Sequence, residues 1–175
     1  SIDAESKRSM SIFDENSLLS RINRSETDSI DEHIRFNLEL AARITEVSGG
    51  AYDVTVKPLV EAYGFAGKER RTEVNVDSLM EFVGFDKIRI EGNRIVKSDS
   101  RVQLDFNSIA KGYTVDLAAQ TLESMGIKNY IVDIGGEVRC KGVNKRGGAW
   151  RIGIETPFDG NNTAGEHIQQ IISLS

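Results

Sequence analysis

The 175-residue sequence has a single cysteine, Cys140. That excludes an internal disulfide and any cysteine-rich zinc site. In the run 137–141 Cys140 falls on the same side as Val138 and opposite Arg139, which reads as a buried structural thiol. No run of 18 apolar residues occurs, so no segment reads as a membrane-spanning helix. Positive charge is in deficit: 22 Lys and Arg stand against 27 Asp and Glu, a net charge of −5. Nucleic acid is therefore not the expected partner, because phosphate backbones reward clustered cations. A nucleotide is not excluded, since it needs only local positive groups. Internal repeats and low-complexity tracts are also absent.

What is present has globular proportions, 39% hydrophobic and 28% charged residues, in a length suited to one domain with a sizeable core. The chain opens on Ser1 without a signal peptide and closes on the strand-like run 168–175. It is expected to be a piece of a longer polypeptide, with residues 1–175 a single domain incomplete at both ends.

The most informative stretch is Leu-Asp-Phe-Asn-Ser-Ile-Ala-Lys-Gly-Tyr-Thr-Val-Asp, residues 104–116. Val102, Leu104 and Phe106 alternate with Gln103 and Asp105, the period of a half-buried strand. At Asn107 the period lengthens to that of a helix, with Ile109, Tyr113 and Leu117 on one face. Asn107 or Ser108 is the expected cap and Gly126 the expected stop. A strand feeding a helix start offers free N–H groups and a positive dipole end, suited to phosphate. Lys111 stands in the first turn, against the usual dipole preference, and Gly112 leaves room for close approach. On these residues alone, an ordinary corner with a solvated lysine is the preferred reading.

Upstream, Ser17 or Asn16 caps a short turn holding Leu18, Leu19 and Ile22, and Phe13 before it reads as a core anchor. Ser29-Ile-Asp-Glu32 reads as a capping box opening a helix through residue 47. Its apolar face is wide: Ile34, Leu38 and Ala41 on one edge, Phe36, Leu40, Ile44 and Val47 on the other. His33 within that face reads as a packed histidine. Gly49 and Gly50 end the helix, and Ala51, Tyr52 and Asp53 follow as a candidate ligand wall or a plain connection. Pro58 starts a short helix over 59–63, residues 67–73 form a solvated charged loop, and Asn75 caps a helix over 76–83. Residues 87–97 read as a hairpin turning at Gly92-Asn93. Downstream, 130–134, 137–141 and 150–154 read as strands, with a glycine break at Gly135-Gly136 marking a bulge or close approach. Residues 144–148 read as a turn and 159–165 as a polar loop. His167 at the last strand's edge receives no role. The order of elements argues for α+β with a mixed, largely antiparallel sheet and packed helices.

Four stretches together resemble the ApbE-type FAD:protein FMN transferases. They are Ser-x-Phe-Asp…Ser-x-x-Ser-Arg-Ile-Asn at 11–23, Gly-Gly-Ala-Tyr-Asp…Pro-Leu-Val…Gly-Phe at 49–65, the 104–116 stretch, and Val-Asp-Ile-Gly-Gly-Glu…Trp-Arg-Ile-Gly-Ile-Glu-x-Pro. The resemblance implies an ApbE/T-fold-like architecture and transfer of FMN from FAD to a threonine hydroxyl of a target flavoprotein, with Mg²⁺ at the pyrophosphate and AMP as leaving group. Other outcomes it leaves open are FAD hydrolysis to FMN and AMP, or FAD binding without turnover. Carried over by position, it marks Phe13, Ala51, Tyr52, Asp53, Asn107, Lys111, Tyr113, Gly135 and Gly136 as FAD-binding, and the Ala110 backbone carbonyl as a metal donor. With this resemblance, the 104–111 junction reads as an anion site after all. Tyr52 stands where phenylalanine is commoner in the family. The family's Met-Gly-Thr-like segment, its proposed histidine base, its Thr-Ser-Gly segment and its remaining metal ligands have no counterpart here, so no catalytic residue is assigned. The resemblance also implies an exported lipoprotein on the periplasmic side of the cytoplasmic membrane.

Overall fold

A computed structural model describes residues 1–65, 67–158, 163 and 165–174. The chain divides into two compact units, residues 1–110 and 111–175, taken here one at a time. Ala66, most of the expected 159–165 polar loop and Ser175 lie outside the described residues.

The first unit is helical around one hairpin. Helix α1 (Ile2–Met10) was not foreseen from the sequence, and Ser1 caps it. It docks through Met10, whose sulfur accepts from the Asn37 amide at 3.0 Å, and through Ser9, whose hydroxyl donates to Asp31 Oδ1 at 2.9 Å. Ser17, fully buried, caps α2 (Leu18–Asn23) by accepting from Ser20 N. The next helix, α3 (Glu32–Val47), starts two residues later than a Ser29 capping box requires: Asp31 is the cap, accepting from Ile34 N. Ser29 instead bridges Arg94 of the hairpin, a long-range pairing that a local pattern cannot disclose.

Helix α3 is also buried along one edge only. Ile34, Leu38 and Ala41 are inaccessible, whereas Phe36 and Val47 are exposed and His33 is half-exposed. Gly49, with φ +61°, ends it: Gly50 N donates to Thr45 O and Gly49 N to Glu46 O, the paired bonds of a left-handed C-cap. Short helices α4 (Lys57–Ala62) and α5 (Val76–Met80) follow, Pro58 at the start of the former and Asn75 capping the latter. Antiparallel strands β1 (Ile88–Glu91) and β2 (Arg94–Lys97) form the expected hairpin.

Residues 102–106 are extended but are not a strand. Val102, Leu104 and Phe106 are buried, yet among the described residues the segment makes a single isolated bridge, Val56 to Gln103. Its backbone is satisfied in other ways. Asn23 Nδ2 donates to Leu104 O at 2.9 Å, Leu104 N donates to Asn23 Oδ1 at 2.7 Å, and Asp105 N donates to Val54 O at 2.8 Å. The side-chain amide of Asn23 thus takes the place of a strand neighbour. Lys97 performs a related task at the end of α2: its ammonium donates to Ile22 O and Val102 O, both at 2.9 Å. Burial pulls its pKa down from the usual lysine value.

Helix α6 (Asn107–Ser124) crosses the division between the units. Its start is capped neither by Asn107 nor by Ser108. The Asp105 carboxylate accepts from Asn107 N at 2.7 Å while Phe106 O accepts from Ala110 N. At its end Gly126, φ +78°, donates to Glu123 O and Ile127 N to Leu122 O, the C-cap expected there.

Among its described residues the second unit holds two antiparallel pairs. Strands β3 (Tyr130–Ile134) and β4 (Glu137–Lys141) turn at Gly135-Gly136, and β5 (Trp150–Glu155) pairs with β6 (Ile168–Leu174). Both turn glycines have positive φ, +60° and +92°, the backbone of a two-residue hairpin turn rather than of a bulge. Glu123 of α6 accepts from Tyr130 OH at 2.5 Å, and Arg139 of β4 pairs with Asp116 at 2.8 Å. Cys140 is half-buried, more accessible than its place beside Val138 implies.

Candidate functional site

In the first unit the structure gathers Ala51, Tyr52 and Asp53 beside the start of α6. Tyr52 N donates to Ser48 Oγ at 3.1 Å, and its hydroxyl lies 2.9 Å from Ser108 Oγ. A phenylalanine could not make that second bond. Burial, opposed by the bond to Ser108, raises the Tyr52 pKa above its usual value, so the phenol is the form that bridges to α6.

The Asp53 carboxylate is largely engaged by its own chain. Its Oδ1 accepts from Thr55 N at 2.8 Å and Thr55 Oγ1 at 2.7 Å, and its Oδ2 accepts from Phe85 N at 2.8 Å. Asp105, which sequence patterning marks only as the polar partner in a strand, is buried. Desolvation raises its pKa above the ordinary carboxylate value, against the Asn107 N–H and nearby Lys57, which favour the anion. Asn107 itself is exposed, as a residue contacting a ligand would be.

Phe13 is 69% exposed, so it is no core anchor. It borders a cleft of about 420 Å³ that Lys57, Glu61, Gln103 and Asn23 also line. Lys57 is buried and pairs with Glu61 one turn along α4, giving the cleft an internally neutralised polar wall. Neither Lys57 nor Gln103 was singled out from the sequence. Lys57 opens α4 and Gln103 reads as the polar partner in a strand-like alternation, and neither position signals the cleft before the packing is known.

In the second unit Lys111 has a partner. Its ammonium lies 3.0 Å from Glu137 Oε2 and 3.5 Å from Gly135 O. The side chains of the ion pair are 54% and 40% exposed, although the Glu137 oxygen that meets the ammonium is itself buried. Glu137 Oε2 is otherwise without a hydrogen bond. The glycines of the β3–β4 turn are required by backbone conformation rather than space: a Cβ at Gly136 would meet nothing within 4 Å, and one at Gly135 would only touch Lys111. Tyr113 is buried and offers less surface than the other candidates. Glu137 lies 26 positions from Lys111, too far for any local pattern to signal the pairing.

The residues do not, by themselves, fit a metal. Among the described residues no group of three His, Cys, Asp or Glu side chains converges. One helix carbonyl, that of Ala110, falls short of the near-octahedral oxygen set that Mg²⁺ demands.

Comparison with known proteins now gives the arrangement its context. The ApbE family model matches residues 3–175. The FAD:protein FMN transferase of Vibrio cholerae is 39% identical over 155 residues, covering 85% of this chain and 46% of that protein. The FAD:protein FMN transferase of Haemophilus influenzae is 38% identical over 180 residues, covering 95% and 51%. Among solved structures, the flavin transferase ApbE from Vibrio cholerae superposes with a TM-score of 0.82 at 38% identity, covering 89% of this chain and 54% of that one. The apo form of the Pseudomonas stutzeri flavinyl transferase ApbE gives 0.86 at 29% identity, covering 99% and 55%. The chain thus spans about half the length of these relatives. A family match over nearly the whole chain, with the helices and antiparallel hairpins expected of it, places this chain in the ApbE family.

Proposed function

We propose that this protein binds FAD and transfers its FMN moiety to a threonine hydroxyl of a target flavoprotein, with AMP as the leaving group. The observation that carries the reading is the family match over residues 3–175 to proteins named as FAD:protein FMN transferases. Features within each unit support it: in the first an exposed aromatic beside a polar cleft and a backbone-pinned loop, and in the second a half-exposed lysine paired with Glu137.

In this reading the threonine oxygen forms a bond to the FMN phosphorus while the bond from that phosphorus to the bridging oxygen breaks, and AMP departs with it. The hydroxyl proton passes to a base not assigned among residues 1–175. Lys111 draws the pyrophosphate by charge, Asn107 is a polar contact at the helix start, and Phe13 and Tyr52 provide rings for packing. Charge neutralisation and positioning are the main contributions a protein makes to phosphoryl transfer. A requirement for Mg²⁺, with the Ala110 carbonyl as one donor, and attachment as a lipoprotein on the periplasmic side of the cytoplasmic membrane belong to the proposal on family resemblance alone.

The test uses the polypeptide as its cell produces it. FAD binding is followed by flavin fluorescence with and without Mg²⁺, and products are then identified with a threonine-bearing acceptor. Gain of the FMN mass by the acceptor together with AMP release is the expected result. FMN and AMP both appearing free would assign hydrolysis instead, and FAD surviving unchanged would assign storage. Failure to bind FAD would overturn the site.

A further inference from the structure

Residues 53–55 and 84–85 close a ring of hydrogen bonds. Asp53 accepts from Thr55 N, Thr55 Oγ1 and Phe85 N, and Thr55 Oγ1 accepts from Gly84 N at 2.7 Å. Thr55 has no exposed surface, so its hydroxyl both donates and accepts where water cannot substitute. Gly84 has φ +145°, and a Cβ there would stand 2.5 Å from the Asp86 carboxylate, so the segment facing Thr55 is itself confined to glycine. The same loop is held elsewhere by Val54 O, which accepts from Asp105 N, and by the Tyr52 hydroxyl beside Ser108.

We propose that Thr55 is a positioning residue for flavin nucleotide binding, and that Asp53 acts through the same ring rather than as a direct acceptor for the ligand. The proposal rests on the FAD reading above. Three donors already converge on the Asp53 carboxylate, and all three come from its own chain. The ring fixes where Ala51 and Tyr52 stand, and it does so by tying them to the residues that enter the β1–β2 hairpin. Loss of the Thr55 hydroxyl leaves the Gly84 N–H unpaired and removes one of the donors orienting Asp53. The wall then loses its fixed position although no ligand-facing side chain has been changed.

The test is a double-mutant cycle on FAD affinity with Thr55→Val, Asp53→Asn and the pair, alongside Thr55→Ser. Amide hydrogen exchange at Gly84 and Phe85 is measured on the flavin-free protein, whose fold is checked by circular dichroism. Thr55→Val should weaken FAD binding about tenfold, the scale of one buried hydrogen bond left unmade. Thr55→Ser should recover most of that loss, the double variant should be no weaker than the weaker single one, and Thr55→Val should strip protection from the Gly84 amide. If Asp53→Asn abolishes binding while Thr55→Val binds like the parent, Asp53 touches the ligand directly and the proposal is wrong. Unchanged exchange at Gly84 in Thr55→Val would equally overturn it. Should the parent protein bind no FAD, the flavin role falls with the reading it rests on, and exchange alone decides whether the ring operates as a structural tie.

Discussion

Two sets of polar side chains, one within residues 1–110 and one within residues 111–175, are used in opposite ways. In the first unit Asn23, Asp53 and Lys97 direct most of their hydrogen bonds to backbone groups, several of them buried. In the second, Lys111–Glu137 and Arg139–Asp116 are ion pairs at the surface. A buried donor or acceptor left alone costs far more than a surface pair contributes. The first arrangement therefore fixes geometry, and the second can exchange partners. A ligand phosphate can take the place of Glu137 on Lys111, but nothing in solution can take the place of Leu104 on Asn23.

The largest expected effect lies in the first unit. Asn23→Ala leaves both the N–H and the C=O of buried Leu104 without partners, and should lower stability by about 2–4 kcal/mol, read by thermal melting. A loss below about 0.5 kcal/mol, the level of an ordinary surface substitution, would break the contrast between the units.

Lys111→Ala comes next and should act in the reverse manner. It should weaken FAD binding about tenfold at low ionic strength and progressively less as salt rises, while leaving the melting temperature nearly unchanged. A salt-independent loss, or a loss of stability matching that of Asn23→Ala, would show that Lys111 belongs to the scaffold.

Asp105 gives a smaller effect that sharpens the comparison through pH. Its folded pKa is raised, first by desolvation. The protonated form is thus the one the fold favours: the contribution is fully present below the ordinary carboxylate value and is lost as pH rises through the folded one. Asp105→Asn keeps an acceptor for Asn107 N and carries no charge. It should melt a few degrees higher than the parent at neutral pH, and the difference should close as pH falls below the ordinary aspartate range. A variant less stable than the parent at every pH would mean that the carboxylate earns its place through pairing with Lys57.

How much of this was legible follows the same division between local and distant causes. Caps and stops written in neighbouring residues were readable: Ser17, Asn75, Gly49 and Gly126 all act as their positions imply. So were the β1–β2 and β3–β4 strands, whose pairs are close in sequence. The 102–106 alternation was read correctly as burial and wrongly as a strand, because its neighbour is an amide side chain 81 positions away. Phe13 was misread as core because an aromatic in an apolar setting carries no sign of whether a helix covers it. Of the candidate site, the residue types were legible through the family's spacing, while their bonding was not. Asp53 signals an acceptor; that its donors are Thr55 and Phe85 is a property of the folded loop.

The smallest effect expected is also the one that isolates exchange of partners. Glu137→Gln removes the carboxylate 3.0 Å from the Lys111 ammonium without shortening the side chain. With both side chains about half exposed, ligand-free stability should change by less than about 0.5 kcal/mol. The ammonium is then no longer shared with a protein anion when a pyrophosphate arrives, so FAD affinity should rise about two- to threefold at low ionic strength. At about 1 M salt, where the screening length falls to roughly 3 Å, the gain should vanish. A decrease in affinity would mean that Glu137 holds Lys111 in the orientation the ligand needs, and the exposed pair would then count among the fixed parts of the site rather than the exchangeable ones.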